Sequence, residues 1–398
     1  MKIELEKAIE VITNNINRLD ITKKKINAAL GYILADDLVA QIDQPPFNRS
    51  PLDGYALKAA DTIGASKDRP VRLKVVDTVF AGGQSALEIN QHEAVRLMTG
   101  SPIAHGCDCV IMQEDTNVGF PLVEIYKEHK AYQNFCFRGE DFKSGDFLLK
   151  SGTKMDAVAL AVCASAGIGQ INVVKKPRVS VFSTGDELVA PGQALESGQI
   201  YDANLFYICL RLEQMGLEVV MSQTIGDDCN EIANKIKNAM KQSDFIITTG
   251  GVSVGEKDLI EAAINQIGGQ IKFHGVNLKP GTPAMFSVLG EIPILSLSGN
   301  PFACISTFEL LARPAFSRLS GNDEFLLTEK TASLKNAYPK SSKRRRFIRG
   351  LYADGDVEIP NGHSSGQIRS MIGCNCLLDI PAGSGPLVAG DEIRIRLL

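Results

Sequence analysis

Nowhere in this 398-residue sequence do apolar residues run uninterrupted for the ~18 positions that a membrane-crossing helix needs. The opening "MKIELEKAIEVI" reads as an amphipathic helix rather than a signal peptide, which predicts a cytoplasmic protein with no membrane partner. Positive charge is not in excess. Lys and Arg total 42 against 46 Asp and Glu, a net charge of −4, so no global basic field exists to hold nucleic acid. The one charge run, "KSSKRRR" at 340–346, reads as a solvated β-turn face. Histidine is scarce, five in all, and neither a nucleophile elbow nor a Ser-His-Asp order is visible. A Walker A loop is missing, and so is G-x-G-x-x-G, which disfavours P-loop and Rossmann nucleotide chemistry. The nine cysteines include two Cys-x-Cys pairs, "CDC" and "CNC", but no zinc-type Cys-x-x-Cys. An odd count in a chain of this length implies reduced thiols, mostly buried as small hydrophobes. Internal repeats and low-complexity tracts are absent as well.

What is present is an ordinary globular composition, 44% hydrophobic and 22% charged, in a chain long enough for several domains. Residues 1–44 carry apolar residues at three- and four-residue spacing and read as helix. Residues 45–140 break into short alternating runs separated by Gly, Pro and Asn, a β-rich insert. Residues 141–176 return to helix in "DFLLKSGTKMDAVALAVCASAG", ended by Gly167, so the helices on either side are expected to pack together. From 177 to 318 strands and helices alternate. "RVSVFSTG", "LEVVMSQTIG" and "DFIITTGG" are near-continuous apolar strands, and Asp202 and Gly216 bracket a helix. This pattern predicts a doubly wound parallel α/β sheet. Residues 319–398, with short strands and no long helix, read as a separate small β domain.

Ligands of a doubly wound sheet bind outside the carboxyl ends of its strands. Acidic-glycine clusters fall at that edge: "STGDEL" with Asp186 and Glu187, "TIGDD" with Asp227 and Asp228, and "TTGGVSVGEKD" with Glu256 and Asp258. A further turn, "SLSGNPF", sets Pro301 at a first helical position. Each cluster alone is turn chemistry; together they form a rim of N–H donors and carboxylates. Thr248, Thr249, Gly250, Gly251 and Ser253 provide an oxyanion cradle. Carboxylates beside an anion site make sense with a hard cation between them, which points to Mg²⁺ and a phosphate or pyrophosphate substrate. A separate Asp-Gly, in "RSPLDGYAL", places Asp53 before Gly54; hairpin-turn chemistry explains it without any function.

The ordered set "SPLDGYAL", "RLMTGSPI", "FRGEDFKSGD", "STGDEL", "GQIYDAN", "TTGGVSVGEKD", "KPGTPAMF" and "LSGNP" resembles the molybdopterin molybdenumtransferase family (MoeA and the gephyrin E domain) over essentially the whole chain. The resemblance implies a multidomain α/β protein with four parts. These are a helical linker domain (1–44 plus 141–176), the β-rich insert (45–140), a MogA-like doubly wound α/β domain (177–318) and a C-terminal β-barrel (319–398). It implies an Mg²⁺-dependent enzyme that inserts molybdate into adenylylated molybdopterin and releases AMP. The enzyme is expected to be a homodimer with its active sites between subunits, contacting molybdopterin adenylyltransferase and molybdoenzyme chaperones.

By position, the resemblance gives Asp53, Asp141, Glu187, Asp227 and Asp258 catalytic roles, with Glu187, Asp227 and Asp258 on the metal. Asp53 would face the cleft from the partner subunit. Thr99, Thr249, Gly250, Gly251, Ser253, Lys279, Thr282, Ser298, Pro301 and Ser365 would touch the substrate, and Ser370 and Arg369 are weaker candidates. Departures stand out. "KPGTP" has Thr282 where the family reads lysine, Gly275 replaces a further lysine, and "LSGNP" has Ser298 in place of proline. The Thr282 hydroxyl is expected to bond the oxyanion instead. An alternative therefore stays open: a tungstate-specialised or weakly catalytic relative acting as a molybdopterin-binding scaffold. A free-standing adenylyltransferase is disfavoured, because those proteins are typically the α/β domain alone.

Overall fold

The computed structural model describes residues 2–252 and 259–398. No helix among them is long and apolar enough to cross a membrane. Helix α1 (Leu5–Asn14) buries Leu5, Ala8 and Ile12 in the core that also holds Val179, Phe245 and Phe316. The expected helix over the rest of 1–44 does not form. Ile21–Lys25 is instead a strand, paired antiparallel with Gln170–Val174, whose other edge takes Ile33–Leu34. Gly31, at φ +75°, interrupts the Ala- and Leu-rich stretch, and strand pairing overrides its helical spacing. Helix α2 (Ala157–Ser165) starts where the Asp156 side chain accepts from the Ala159 N–H at 2.8 Å. It packs with Leu34, Ile171 and Val173, away from α1. The two flanks of the insert therefore meet through strands rather than through helices.

The insert is a five-stranded sheet in the order Cys109–Met112, Gly54–Leu57, Glu93–Leu97, Val71–Val79, Leu122–Ile125. Its core holds Tyr55, Leu57, Leu73, Ile111 and Val123.

The central sheet has six strands: β1 (Arg178–Thr184), β2 (Glu218–Ile225), β3 (Phe245–Thr249), β4 (Gln270–His274), β5 (Met285–Leu289) and β6 (Ile292–Leu297). Their order is β2-β1-β3-β6-β5-β4. The first four are parallel, while β5 and β4 add antiparallel through the β5–β6 hairpin. Helix α3 (Ala203–Gln214) is N-capped by Asp202, and α4 (Cys229–Ala239) by Asp228. Helix α5 spans Leu259–Gln266, α6 Pro301–Thr307 and α7 Arg313–Ser320, with a π-helical turn at Phe308–Ala312 between the last two. One face of the sheet buries Ile208, Phe302 and Phe316 from α3, α6 and α7; the other buries Ile232, Ile236, Ile260 and Ile264 from α4 and α5. Helices on both faces make the sheet doubly wound.

The C-terminal unit is a closed five-stranded barrel: β7 (Thr328–Leu334), β8 (Arg345–Ala353), β9 (Asp356–Glu358), β10 (Cys376–Ile380) and β11 (Glu392–Leu397). The pairing of β10 with β8 closes it. The short segment Leu278–Lys279 adds parallel to the start of β8, with Lys279 opposite Arg346. That joint brings the barrel to the carboxyl edge of the central sheet.

Candidate active-site cleft

A cleft of about 1090 Å³ opens at that edge, lined by residues that follow β1, β2, β3 and β6 and by the facing end of the barrel. Glu187, Asp227, Thr249, Gly250, Gly251, Lys279, Thr282, Ser298, Pro301 and Ser365 all line it. The sequence scatters these ten over 179 positions (187–365), and the fold collects them.

The loops are tied together by their own polar groups. The Asp227 N–H donates to Asp186 Oδ1 at 2.9 Å, linking the turns after β1 and β2. Asn204, at the start of α3, donates to Thr249 Oγ1 at 3.1 Å and to the Gly299 carbonyl at 2.8 Å, and Thr249 Oγ1 donates on to the Ser298 carbonyl at 3.1 Å. Asn204 thus clamps the loops after β3 and β6. Gly250 sits at φ +88°, and a Cβ there would lie 2.4 Å from the Thr184 carbonyl oxygen, so only glycine lets these chains approach so closely. Its N–H donates to the Leu297 carbonyl at 3.1 Å, so Gly250 serves by close approach rather than as an oxyanion donor. Asp228 spends its carboxylate on the Glu231 N–H at 2.7 Å, capping α4.

One expectation for a donor is corrected. The Thr282 hydroxyl donates to the Leu278 carbonyl at 2.6 Å; its only proton is committed inward and cannot be given to an oxyanion. Pro301 lines the cleft but carries no N–H, and the next helical N–H, that of Phe302, donates to the Ser365 carbonyl at 2.8 Å. Position 275 cannot readily regain a lysine. Gly275 has φ +106°, and a Cβ there would meet Lys2 Cγ at 2.9 Å.

Asp53, Thr99 and Asp141 do not line this cleft. Asp53 and Thr99 do meet on the insert, where the Thr99 N–H and Oγ1 each donate to Asp53 Oδ1 at 2.7 Å. Those bonds, the hydroxyl's first, hold the Asp53 carboxyl below the usual carboxylate range. Asp141 is exposed at the neck of the insert, its N–H on the Gln44 carbonyl at 2.9 Å. Ser253, Glu256 and Asp258 lie outside the described residues. Ser370 Oγ donates to the Gly362 carbonyl and accepts from Arg349 Nη1 at 2.8 Å, so it holds its loop together, and Arg369 is exposed outside the cleft.

Several cleft residues carried no functional assignment from sequence. Asn204 stands inside the quoted "GQIYDAN". Lys340, Arg344 and Arg346 belong to the charge run expected to be a solvated turn face, yet all three line the cleft. Arg349, from "RRRFIRG", does not line the cleft; it is fully buried and stacks 3.6 Å from the centroid of Phe302. It donates to the Gln367 and Ser364 carbonyls, and burial holds its pKa down to about 10.

Among the described residues no group of three His, Cys, Asp or Glu side chains is placed to hold a metal. The donor set nevertheless fits Mg²⁺, which is commonly held by one or two carboxylates plus substrate phosphates and water. Glu187 and Asp227 supply two carboxylates, and beside them Thr184 Oγ1 is buried without a partner among the described residues.

Three family models match the chain: the MoeA N-terminal region (domains I and II) over residues 3–167, a probable molybdopterin binding domain over 180–318, and the MoeA C-terminal region (domain IV) over 331–398. A molybdopterin molybdenumtransferase from Staphylococcus aureus (strain COL) is 35% identical over 399 residues, covering 99% of this chain and 95% of that protein. One from Staphylococcus epidermidis (strain ATCC 12228) is 33% identical over 397 residues, covering 99% and 93%. Among solved structures, a molybdopterin biosynthesis MoeA protein from Pyrococcus horikoshii superposes with a TM-score of 0.87 at 32% identity, covering 100% of this chain and 99% of that one.

Proposed function

The chain belongs to the molybdopterin molybdenumtransferase (MoeA) family, transferases of molybdenum cofactor biosynthesis, and from that premise we propose that it uses Mg²⁺ to insert molybdate into adenylylated molybdopterin with release of AMP. The observation that carries this reading is a single cleft in which carboxylates from the turns after β1 and β2 share a wall with the close-packed Gly250–Gly251 turn and the Lys279 segment. Glu187 and Asp227, with Asp258, would hold Mg²⁺. Bound there, Mg²⁺ would neutralise the pyrophosphate and the charge that develops on departing AMP. Asn204 keeps the cradle loops in register, and Lys279 offsets oxyanion charge as a point cation.

The protein is proposed to work as a homodimer, with Asp53 and Thr99 completing the site from the partner subunit. An exposed apolar strip on and beside α3 supports this: Tyr201, Phe206, Leu210 and Ile368 border one shallow groove, with Phe206 60% exposed.

Mg²⁺ titration of AMP release tests the reading. Wild-type release should depend on Mg²⁺. Glu187→Gln should lose on the order of 100-fold in rate and need more Mg²⁺, with its thermal unfolding unchanged. Equal rates and equal Mg²⁺ dependence would remove Glu187 from the metal.

A further inference from the structure

Gly250, Gly251 and Val252 form one wall of the cleft, and that wall is tied down from the far edge of the sheet. The Gly251 carbonyl accepts from the Ile260 N–H of α5 at 3.2 Å, and the Val252 carbonyl accepts from His274 Nε2 at 2.9 Å. The other ring nitrogen, Nδ1, lies 2.8 Å from Glu261 Oε2. Among the described residues Glu261 is the ring's only ion-pair partner. His274 ends β4 at the same carboxyl edge, yet it does not itself line the cleft.

A register shift aims that ring. The pairing of β4 with β5 slips between Ile271 and Phe273. Strict alternation would set these two on one face of the sheet. The slip instead lets Ile271 pack on the face that holds Ile260 and Ile264 of α5, while Phe273 joins Phe286 and Phe302 on the opposite face. His274, paired with Met285, then comes up on the α5 side. Both of its partners are acceptors. A carbonyl has no proton to give, and the helix dipole favours the carboxylate form of Glu261 in the first turn of α5. A ring that makes both bonds therefore carries a proton on each nitrogen. Val252 is only 3% exposed, so its carbonyl has little water to replace the ring.

We propose that His274 is a positioning residue for the substrate: as an imidazolium clip between the Val252 carbonyl and Glu261, it locks the Gly250–Val252 wall to α5. It acts on the substrate only through that wall. The inference rests on the transferase reading for the identity of the substrate, an adenylylated pterin, and not for the clip itself.

Hydrogen exchange and kinetics test the clip separately, on the full chain. The Ile260 amide, bonded to Gly251, reports on the wall without any substrate. In His274→Ala it should exchange about tenfold faster than in wild type. The KM for adenylylated molybdopterin, followed by AMP release with Mg²⁺ and molybdate, should rise about tenfold, with kcat within about twofold, because a displaced wall weakens ground-state and transition-state binding alike. Glu261→Leu should shift both readouts the same way. Glu261→Gln keeps an acceptor oxygen for Nδ1 and should stay within about threefold of wild type. Glu261 is exposed, so its variants carry the test if His274→Ala fails to fold. A His274→Ala chain with wild-type KM and wild-type Ile260 exchange would overturn the clip, even if its melting temperature fell. So would a Glu261→Gln chain as impaired as Glu261→Leu. Failure of the transferase reading looks different: Ile260 exchange quickens as expected, but the wild-type chain releases no AMP.

Discussion

At the scale of single residues, hydrogen bonds separate the helix-capping acids from those that line the cleft. Asp202 and Asp228 spend their carboxylates on helix N-termini, whereas Glu187 and Asp227 line the cleft. Sequence alone shows Asp227 and Asp228 side by side after one glycine, and the capping distance decides between them. Asp53 is held ionised by Thr99, which makes a pH prediction. A carboxyl whose folded pKa is depressed contributes stability that is present above its unfolded pKa, about 3.9, and is lost as pH falls through the folded value. Thr99→Val should therefore raise the Asp53 pKa toward the ordinary value in a carboxyl NMR titration and flatten the acid limb of stability below about pH 4. An unmoved Asp53 resonance would contradict the assignment of that pair.

At the scale of elements, the strand–helix alternation after residue 177 was legible because each helix carries its own boundary marks. Asp202 and Gly216 frame α3, and Pro301 opens α6. The stretch after α1 was not, since "KKKINAALGYIL" has helical spacing and only its partner strand, 170–174, makes it β. The charge run 340–346 is solvent-exposed at Lys340, Lys343 and Arg344, as its composition implies, but alternation along β8 and the pairing of Lys279 with Arg346 also turn part of it toward the cleft, which composition does not show. The π-helical turn between α6 and α7 buries Glu309 completely. It accepts from the Tyr207 hydroxyl at 3.0 Å, Arg211 Nε at 2.7 Å and Arg313 Nη1 at 2.9 Å. Burial pushes the Tyr207 phenol upward, and the glutamate beside it adds to this. Glu309→Ala would leave two arginines without their buried partner and should cost about 3–5 kcal/mol in urea unfolding, with Glu309→Gln losing less. A cost below about 1 kcal/mol would mean that water reaches the site.

At the scale of the whole molecule, the ten residues of the cleft and the Asp53–Thr99 corner lie on different units, and the proposed dimer brings them together. That arrangement can be tested without a structure of the complex. Asp53→Ala and Glu187→Gln should each be inactive alone. Mixed, unfolded and refolded together, they should regain about a quarter of wild-type activity, because half the dimers are mixed and each mixed dimer has one intact site. Recovery of nothing would place Asp53 in the same subunit's site, and an Asp53→Ala chain that is active alone would put Asp53 outside the chemistry.

The most direct test of the account is AMP release by the purified chain from adenylylated molybdopterin in the presence of Mg²⁺, with molybdate and tungstate titrated separately. The account predicts release stimulated by molybdate at low concentration, with tungstate weaker. Release driven by tungstate alone would make the chain a tungsten enzyme. Tight binding of the adenylylated pterin with no AMP released under either oxyanion would contradict the catalytic reading.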